Sequence, residues 1–321
     1  MSYSKSSLGH FADDNQLHPT DLAACELHRA WIADALQQVM RGPWPPVAVL
    51  KGPPLAKRLY ADTSHRLSSD LDLMIASCDL PVAQACLLAG GYRPKQPLPA
   101  TWRYFRRHTH HLQFIRPHSP PVELHFRLFT GFGVTIPSEP FLARMEPYAM
   151  QNGLAVHVLN PADEFFFLAI HAARHAYRRT IWLDDLRRYL QIPGWSLTDA
   201  YALAKRYHLR RPFLHALHQV RLSLANQSTL HKLDLDQLLS RTSLLVRSPL
   251  LNHLTSTLAS TSKACHQSHP QRSTNLGYLH EGILCDNPAY TLRLWTHHLR
   301  RSLARKLHRV LPRWTPQDWA G

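Results

Sequence analysis

The stretch Ser69-Asp70-Leu71-Asp72-Leu73-Met74-Ile75 alternates polar and apolar residues with a period of two, the period of a β-strand. On such a strand Asp70 and Asp72 share one face, while Leu71, Leu73 and Ile75 point to the other. Two like charges side by side repel unless a cation lies between them. Magnesium suits the position, because it accepts one or two protein carboxylates, keeps several waters and fills its remaining sites from substrate phosphates. The reading therefore expects an exposed, acidic strand face that takes a divalent cation.

Upstream, residues 19–42 carry apolar residues at helical spacing and stop at Gly42, with Pro43, Pro45 and Pro46 behind it. Val47 to Leu50 is a short β-favouring run closed by Lys51 and Gly52, and PPLAKRLY follows with its prolines at the first helical turn. Strand, turn and helix thus precede the acidic strand. Downstream, PVAQACLLAGGY fits a helix ended by Gly90 and Gly91, and WRYFRR and HHLQFI read as a pair of strands. VELHFRLF, from Val122, then puts Glu123, His125 and Arg127 on one face and Val122, Leu124 and Phe126 on the other. Glu123 becomes a third strand-borne carboxylate, able to complete a two-metal clamp or to act as a base in phosphoryl chemistry. A solvent-facing Glu123, and a His125 that packs in the core or supports a ligand, stand as the plainer alternatives.

The chain has 321 residues, 45% of them hydrophobic and 18% charged, enough for one large domain or two ordinary ones with a sizeable core. No run approaches the roughly 18 apolar residues of a spanning helix, FFFLAI at Phe165 to Ile170 being among the longest. The first 18 residues read as a polar tail without the apolar stretch of a secretory signal, and the expected location is the cytoplasm. Five scattered cysteines without a CxxC pair argue against a disulfide framework or zinc knuckle. A net charge of +15 attracts nucleotides, nucleic acid or acidic lipids, although a basic host proteome would produce the same bias.

Beyond residue 150, AVHVL is a last strand, and long helical patterns begin at Pro161, where Asp163 and Glu164 sit near the positive end of the helix dipole. Ser256 to Gln271 reads as a loop or linker. The final LWTHHLRRSLARKLHRVL is a basic amphipathic helix that either binds RNA or an anionic membrane, or covers the helical domain with its leucines. His171 and His175 share a helix face four residues apart, but no Glu lies between them, which disfavours a zinc protease; packing near a cleft or nucleotide contact is expected instead. Asp184 and Asp185 read as caps of a local turn.

LKGPPLAKRLY, HRLSSDLDLMI, VELHFR and LNPADEFFFLAIHAARHA together resemble the uncharacterised nucleotidyltransferase family of the DNA polymerase β-like superfamily, over roughly residues 45 to 190. The residues that carry the resemblance are Lys51 and Gly52, Arg58 and Tyr60, Arg66, Asp70 and Asp72, Glu123 and His125, His171 and His175, and Trp182 and Asp185. The resemblance implies an α+β fold, a polymerase β-like palm with a mixed sheet and flanking helices, joined to a C-terminal helical domain. It implies magnesium, with manganese as the alternative, held by Asp70, Asp72 and Glu123. Lys51, Gly52, Arg58, Arg66, Ser69 and His125 would then bind the nucleotide, the guanidinium groups matching phosphate oxygens and the lysine acting as a point charge. The rival reading of the same basic residues is ordinary surface charge. Pro53 and Pro54 remove two backbone donors from the turn, which leaves Lys51 to supply the charge.

The expected division is a tail over 1–18, a nucleotidyltransferase domain over 19–159 and a helical domain over 160–321. The expected activity moves a nucleoside monophosphate from a nucleoside triphosphate to an acceptor (small molecule, peptide, protein or RNA) and releases pyrophosphate. No signature supports sequence-specific DNA binding. The rival functions are a toxin-like transferase acting on tRNA or protein, and a non-catalytic scaffold binding nucleic acid or membrane.

Overall fold

The computed structural model describes residues 19–95, 109–150, 153–224, 231–240, 246–264, 277 and 279–296. The polar tail, the WRYFRR run and the basic C-terminal run from residue 297 onward lie outside the described residues. Two compact units are present, and they interleave in sequence. One runs through Leu128 and takes in Pro137–Asn160; the other joins Phe129–Ile136 to the chain from Pro161 onward.

The first unit is built on a seven-stranded sheet of order β3-β4-β5-β2-β1-β9-β8. Its strands are β1 (Val47–Val49), β2 (Leu71–Ile75), β3 (Arg93–Pro94), β4 (His111–Ile115), β5 (Val122–His125), β8 (Glu146–Ala149) and β9 (Ala155–Val158). The sheet is mixed, as expected: β2 runs parallel to β5 and β1 parallel to β9, whereas β1 and β2 are antiparallel. Central position explains why β2 is buried along its whole length, acid included.

Strand alternation decides what each face does. Leu71, Leu73 and Ile75 join Val47, Val49, Val122, Leu124, Phe114 and Val158 in one apolar cluster. Ile32, Ala35 and Leu36 of α1 (Pro19–Met40) and Leu80, Ala83 and Leu87 of α3 (Leu80–Ala89) cover it, each set at the three- and four-residue spacing of a helix face. Truncating a fully buried leucine such as Leu73 or Leu124 to alanine costs about 2–5 kcal/mol. Asp72, Glu123 and His125 fall at the alternate positions, so the packing that builds this core turns them to the opposite face.

Among its described residues the second unit is helical apart from a hairpin, β6 (Phe129–Gly131) with β7 (Val134–Ile136). After α2 (Pro53–Leu59) and α4 (Glu139–Leu142) of the first unit come α5 (Pro161–Arg174), α6 (Thr180–Tyr189), α7 (Leu197–Arg206), α8 (Arg210–Ser223), α9 (Lys232–Ser240) and α10 (Pro249–Ala264). Helix α5 starts where the Pro-Ala-Asp-Glu signal put it and is buried from Asp163 to Ile170. Its buried Glu164 accepts a hydrogen bond from the Tyr189 hydroxyl at 2.8 Å. The hairpin is held by Glu281, whose Oε1 accepts from the Phe132 amide at 2.9 Å and whose Oε2 lies 3.0 Å from Arg174 Nη1.

Helix α10 corrects the expected linker from Ser256, since the chain stays helical to Ala264. The hydroxyls of Thr255 and Thr257 donate to the carbonyls four residues back, at 2.7 and 2.8 Å, so these polar side chains do not compete with the helix, and Leu251 and Leu258 bury its apolar side. The expected linker from residue 265 to Gln271 lies outside the described residues. Among the described residues, no helix is long and apolar enough to cross a membrane.

Candidate functional site

The polar face of the central strands begins where β1 ends. Leu50 extends the pairing, its amide donating to the Asp72 carbonyl at 3.0 Å, and Lys51 follows. Gly52 then turns the chain with φ 84° and ψ −142°, a conformation open essentially to glycine alone, and Pro53 enters α2 at its first turn. A Cβ at Gly52 would meet only Ser68 Oγ, at 3.8 Å, so the requirement is conformational rather than steric.

Asp72 and Glu123 stand opposite one another in the register of β2 and β5. Asp72 Oδ1 lies 3.0 Å from Lys51 Nζ and 3.1 Å from His125 Nε2. Burial alone would raise this carboxyl, but Lys51 and His125 outweigh it and hold Asp72 well below the usual carboxylate range. Glu123 Oε1 accepts from Gln113 Nε2 at 2.6 Å, and its Oε2 is 3.8 Å from His125 Nε2 and 3.9 Å from His111 Nε2. Asp72, Glu123 and His125 each offer a ligand atom within 4.8 Å of the other two. Oxygen donors of this kind suit magnesium or manganese, and Lys51 stands beside Asp72 as a resident positive charge.

Strand β2 starts at Leu71, so Asp70 precedes the strand instead of sharing its pleat, and among the described residues it falls outside that cluster. Its Oδ1 accepts from Ser69 Oγ at 3.4 Å. The acidic face is not exposed as expected either: Asp72 is 1% exposed, because the central strands and the Lys51 and His125 side chains enclose it. Arg66 is buried and donates through Nη1 to Ser68 Oγ at 3.3 Å, the same hydroxyl that faces Gly52. Arg58 lies over the Tyr148 ring, 5.5 Å from its centroid, a cation–π placement.

Histidines His110 and His111, with Gln113, were not singled out from the sequence. Gln113 and His111 occupy alternate positions of HHLQFI, which is the available signal, but their placement opposite Glu123 and His125 depends on the β4–β5 register. Burial, reinforced by His125, pushes the His111 imidazole down to about 4.

In the second unit, His171 and His175 pack against each other and against Trp182, with ring centroids 4.7 to 5.3 Å apart. Asp184 and Asp185 lie within α6 and do not cap a turn. Asp185 is fully buried, and Asp184 pairs with Arg187 at 3.4 Å, one helical turn on, while burial raises its carboxyl.

A family model described as an uncharacterised nucleotidyltransferase matches residues 23–225, well over half of the chain. The chain belongs to that family. Among curated proteins, none matches it. The match spans the whole of the mixed sheet and runs on into the helical unit through α8. Nucleotidyl transfer is the chemistry that membership supports, and the acidic and histidine group at Asp72, Glu123 and His125 is a candidate metal centre within the matched region.

Proposed function

We propose that this nucleotidyltransferase transfers a nucleoside monophosphate from a nucleoside triphosphate to an acceptor, with a divalent cation, magnesium or manganese, held by Asp72 and Glu123 and completed by Asp70. The observation that carries the reading is the register of Asp72 with Glu123 on adjacent parallel strands, beside Lys51, in a member of a nucleotidyltransferase family. The acceptor's hydroxyl, amine or phosphate oxygen forms a bond to the α-phosphorus as the bond to pyrophosphate breaks, and the acceptor's proton is lost to water. A cation at the carboxylates would neutralise the phosphates and help to align them.

The protein's own contribution is position and charge. Lys51 faces the carboxylates as a point charge for the triphosphate, and Arg66, fixed through Ser68 near the Gly52 turn, supplies a guanidinium for phosphate oxygens. Ser69 and Arg58 provide further polar contacts along the path of the nucleotide, and His125 holds the Asp72 carboxylate in place. A chain carrying +15 attracts anions such as nucleoside triphosphates, and the acceptor class is left open by charge alone.

The test incubates wild type and the Asp70→Asn/Asp72→Asn variant with each α-labelled nucleoside triphosphate, magnesium or manganese, and a host extract separated into RNA, protein and small-molecule fractions. Metal-dependent label in one fraction, lost with the folded variant, supports the reading and identifies the acceptor class. Label that persists with the variant overturns the metal assignment. No label with any triphosphate, metal or fraction overturns transfer itself and favours a binding scaffold.

A further inference from the structure

The face that holds the carboxylates also gathers three imidazoles. His111 opens β4 directly opposite His125 of β5, so both project from the same side of the sheet with ring centroids 5.1 Å apart. His110 stands one residue before the strand and escapes the alternation that would send it to the other face. Its carbonyl accepts from the Phe126 amide at 3.0 Å, and its ring lies 4.6 Å from His111 and 5.4 Å from His125, centroid to centroid. One ligand atom from each of the three lies within 4.8 Å of the others. Glu123 Oε2 approaches two of them, at 3.9 and 3.8 Å.

We infer that His110, His111 and His125 form a site for a transition-metal ion of the zinc or cobalt type, with Glu123 Oε2 or water as the fourth ligand. The donor chemistry separates this site from the carboxylate pair: imidazole suits zinc, cobalt and nickel, whereas magnesium demands oxygen. Zinc binds imidazole at about 2.0–2.1 Å in a tetrahedron, which brings ligand nitrogens to about 3.3 Å from one another. Metal binding therefore requires side-chain rotation at His110 and His111, both of which are only partly buried. His111 Nδ1 is buried and has no hydrogen-bond partner among the described residues, so this ring is not already committed through both nitrogens. His125 also belongs to the group with Asp72 and Glu123, so a metal on the histidines draws on the imidazole that now meets Asp72. The inference stands on the histidines alone and is independent of nucleotide and acceptor.

The test titrates the full chain, free of any histidine tag, with cobalt(II) and follows visible absorption. One equivalent per chain with the intensity of four-coordinate cobalt is expected, discharged by one equivalent of zinc and unchanged by a large excess of magnesium. The His110→Gln/His111→Gln variant, checked for fold by circular dichroism, is expected to lose at least about tenfold in cobalt affinity. The His171→Gln/His175→Gln variant, altered in the other close histidine pair, is expected to match wild type. No four-coordinate spectrum, displacement by equimolar magnesium, or unchanged affinity in the His110/His111 variant overturns the site. Independently of any variant, zinc should protect His110 and His111 of the wild-type chain from acylation by diethyl pyrocarbonate. Equal modification with and without zinc overturns the site as well.

Discussion

Lys51 Nζ lies 3.0 Å from Asp72 Oδ1, and both side chains are withdrawn from water, Asp72 almost completely. A buried pair of this kind is weak evidence of net stability, but breaking it is expensive, because the remaining charge has no solvent to turn to. Lys51→Met is expected to destabilise the chain by about 3 kcal/mol, the lower end of the usual range, since His125 still faces the carboxylate. Adding Asp72→Asn to that variant should restore most of the loss. Urea unfolding of the single and double variants measures both, and an unchanged midpoint for Lys51→Met would mean that the lysine is not what compensates Asp72.

Gly52 is a position where backbone conformation alone decides the residue. Gly52→Ala places a methyl group in ordinary contact with Ser68 Oγ, without a clash, yet forces an L-residue into φ 84°, ψ −142°, a strain of about 1–3 kcal/mol. Thermal unfolding should register that cost. If Lys51 acts on the triphosphate, transfer should fall further than stability explains, because relaxing the turn moves the lysine next to it.

The helical unit carries a pH dependence that the carboxylates do not set. Burial, reinforced by Arg174 and Arg178, pushes His280 down to about 4, and His280 Nε2 has no hydrogen-bond partner among the described residues. Burial, with His280 and His218 nearby, also holds His215 well below its ordinary value; its Nδ1 lies 3.0 Å from the Tyr177 hydroxyl and its Nε2 3.2 Å from Gln219 Nε2. Both rings are therefore neutral in the fold and titrate near 6.5 once unfolded. Between about pH 6.5 and about pH 4 the unfolded chain binds protons that the native chain refuses, so stability falls as pH falls through that window and is insensitive to these groups above it. His280 alone accounts for about 3 kcal/mol across the window, at about 1.4 kcal/mol per pH unit. Urea midpoints at about pH 7.5 and about pH 5 should differ less in His280→Leu than in wild type; an equal difference would reject the assignment.

Glu281 is the tie between the hairpin and the helical body, through Phe132 and Arg174. Glu281→Ala leaves the buried Phe132 amide without its acceptor, at about 1–3 kcal/mol. Hydrogen exchange at Phe132 should accelerate before that of the α5 core amides, and uniform acceleration would show that the contact is not local.

Much of the frame was legible because it is local. Helix α1 stops at its glycine and prolines, β2 and β5 follow their alternation, and α5 begins at its acidic first turn. The resemblance built on Lys51, Asp72 and Glu123 agrees with the family match. What escaped is set by pairing between distant segments. The alternation of SDLDLMI fits a strand starting at Asp70 as well as at Leu71, and only the partners of β2 decide the end. Nothing in HHLQFI says that His111 will face His125, since that register belongs to two strands at once. The Ser- and Thr-rich run from Ser256 reads as a linker by composition, but the hydroxyls of Ser256 and Thr257 find a carbonyl within their own helix.

The hairpin at Phe129–Ile136 is made early in the chain and finds its anchor late. Phe132 and Glu281 are 149 residues apart, so during synthesis the hairpin leaves the ribosome well before the residue that secures it exists. Contacts of such long range are slow to form, and loops of this size must close before they are rewarded. The helical unit is therefore not a segment that can be cut out of the chain: a fragment starting at Pro161 would lack two of its own strands, and a fragment ending at Asn160 would carry them without the Glu281 that anchors Phe132. Synthesis as far as Glu281, rather than of either half, is the event that secures the hairpin.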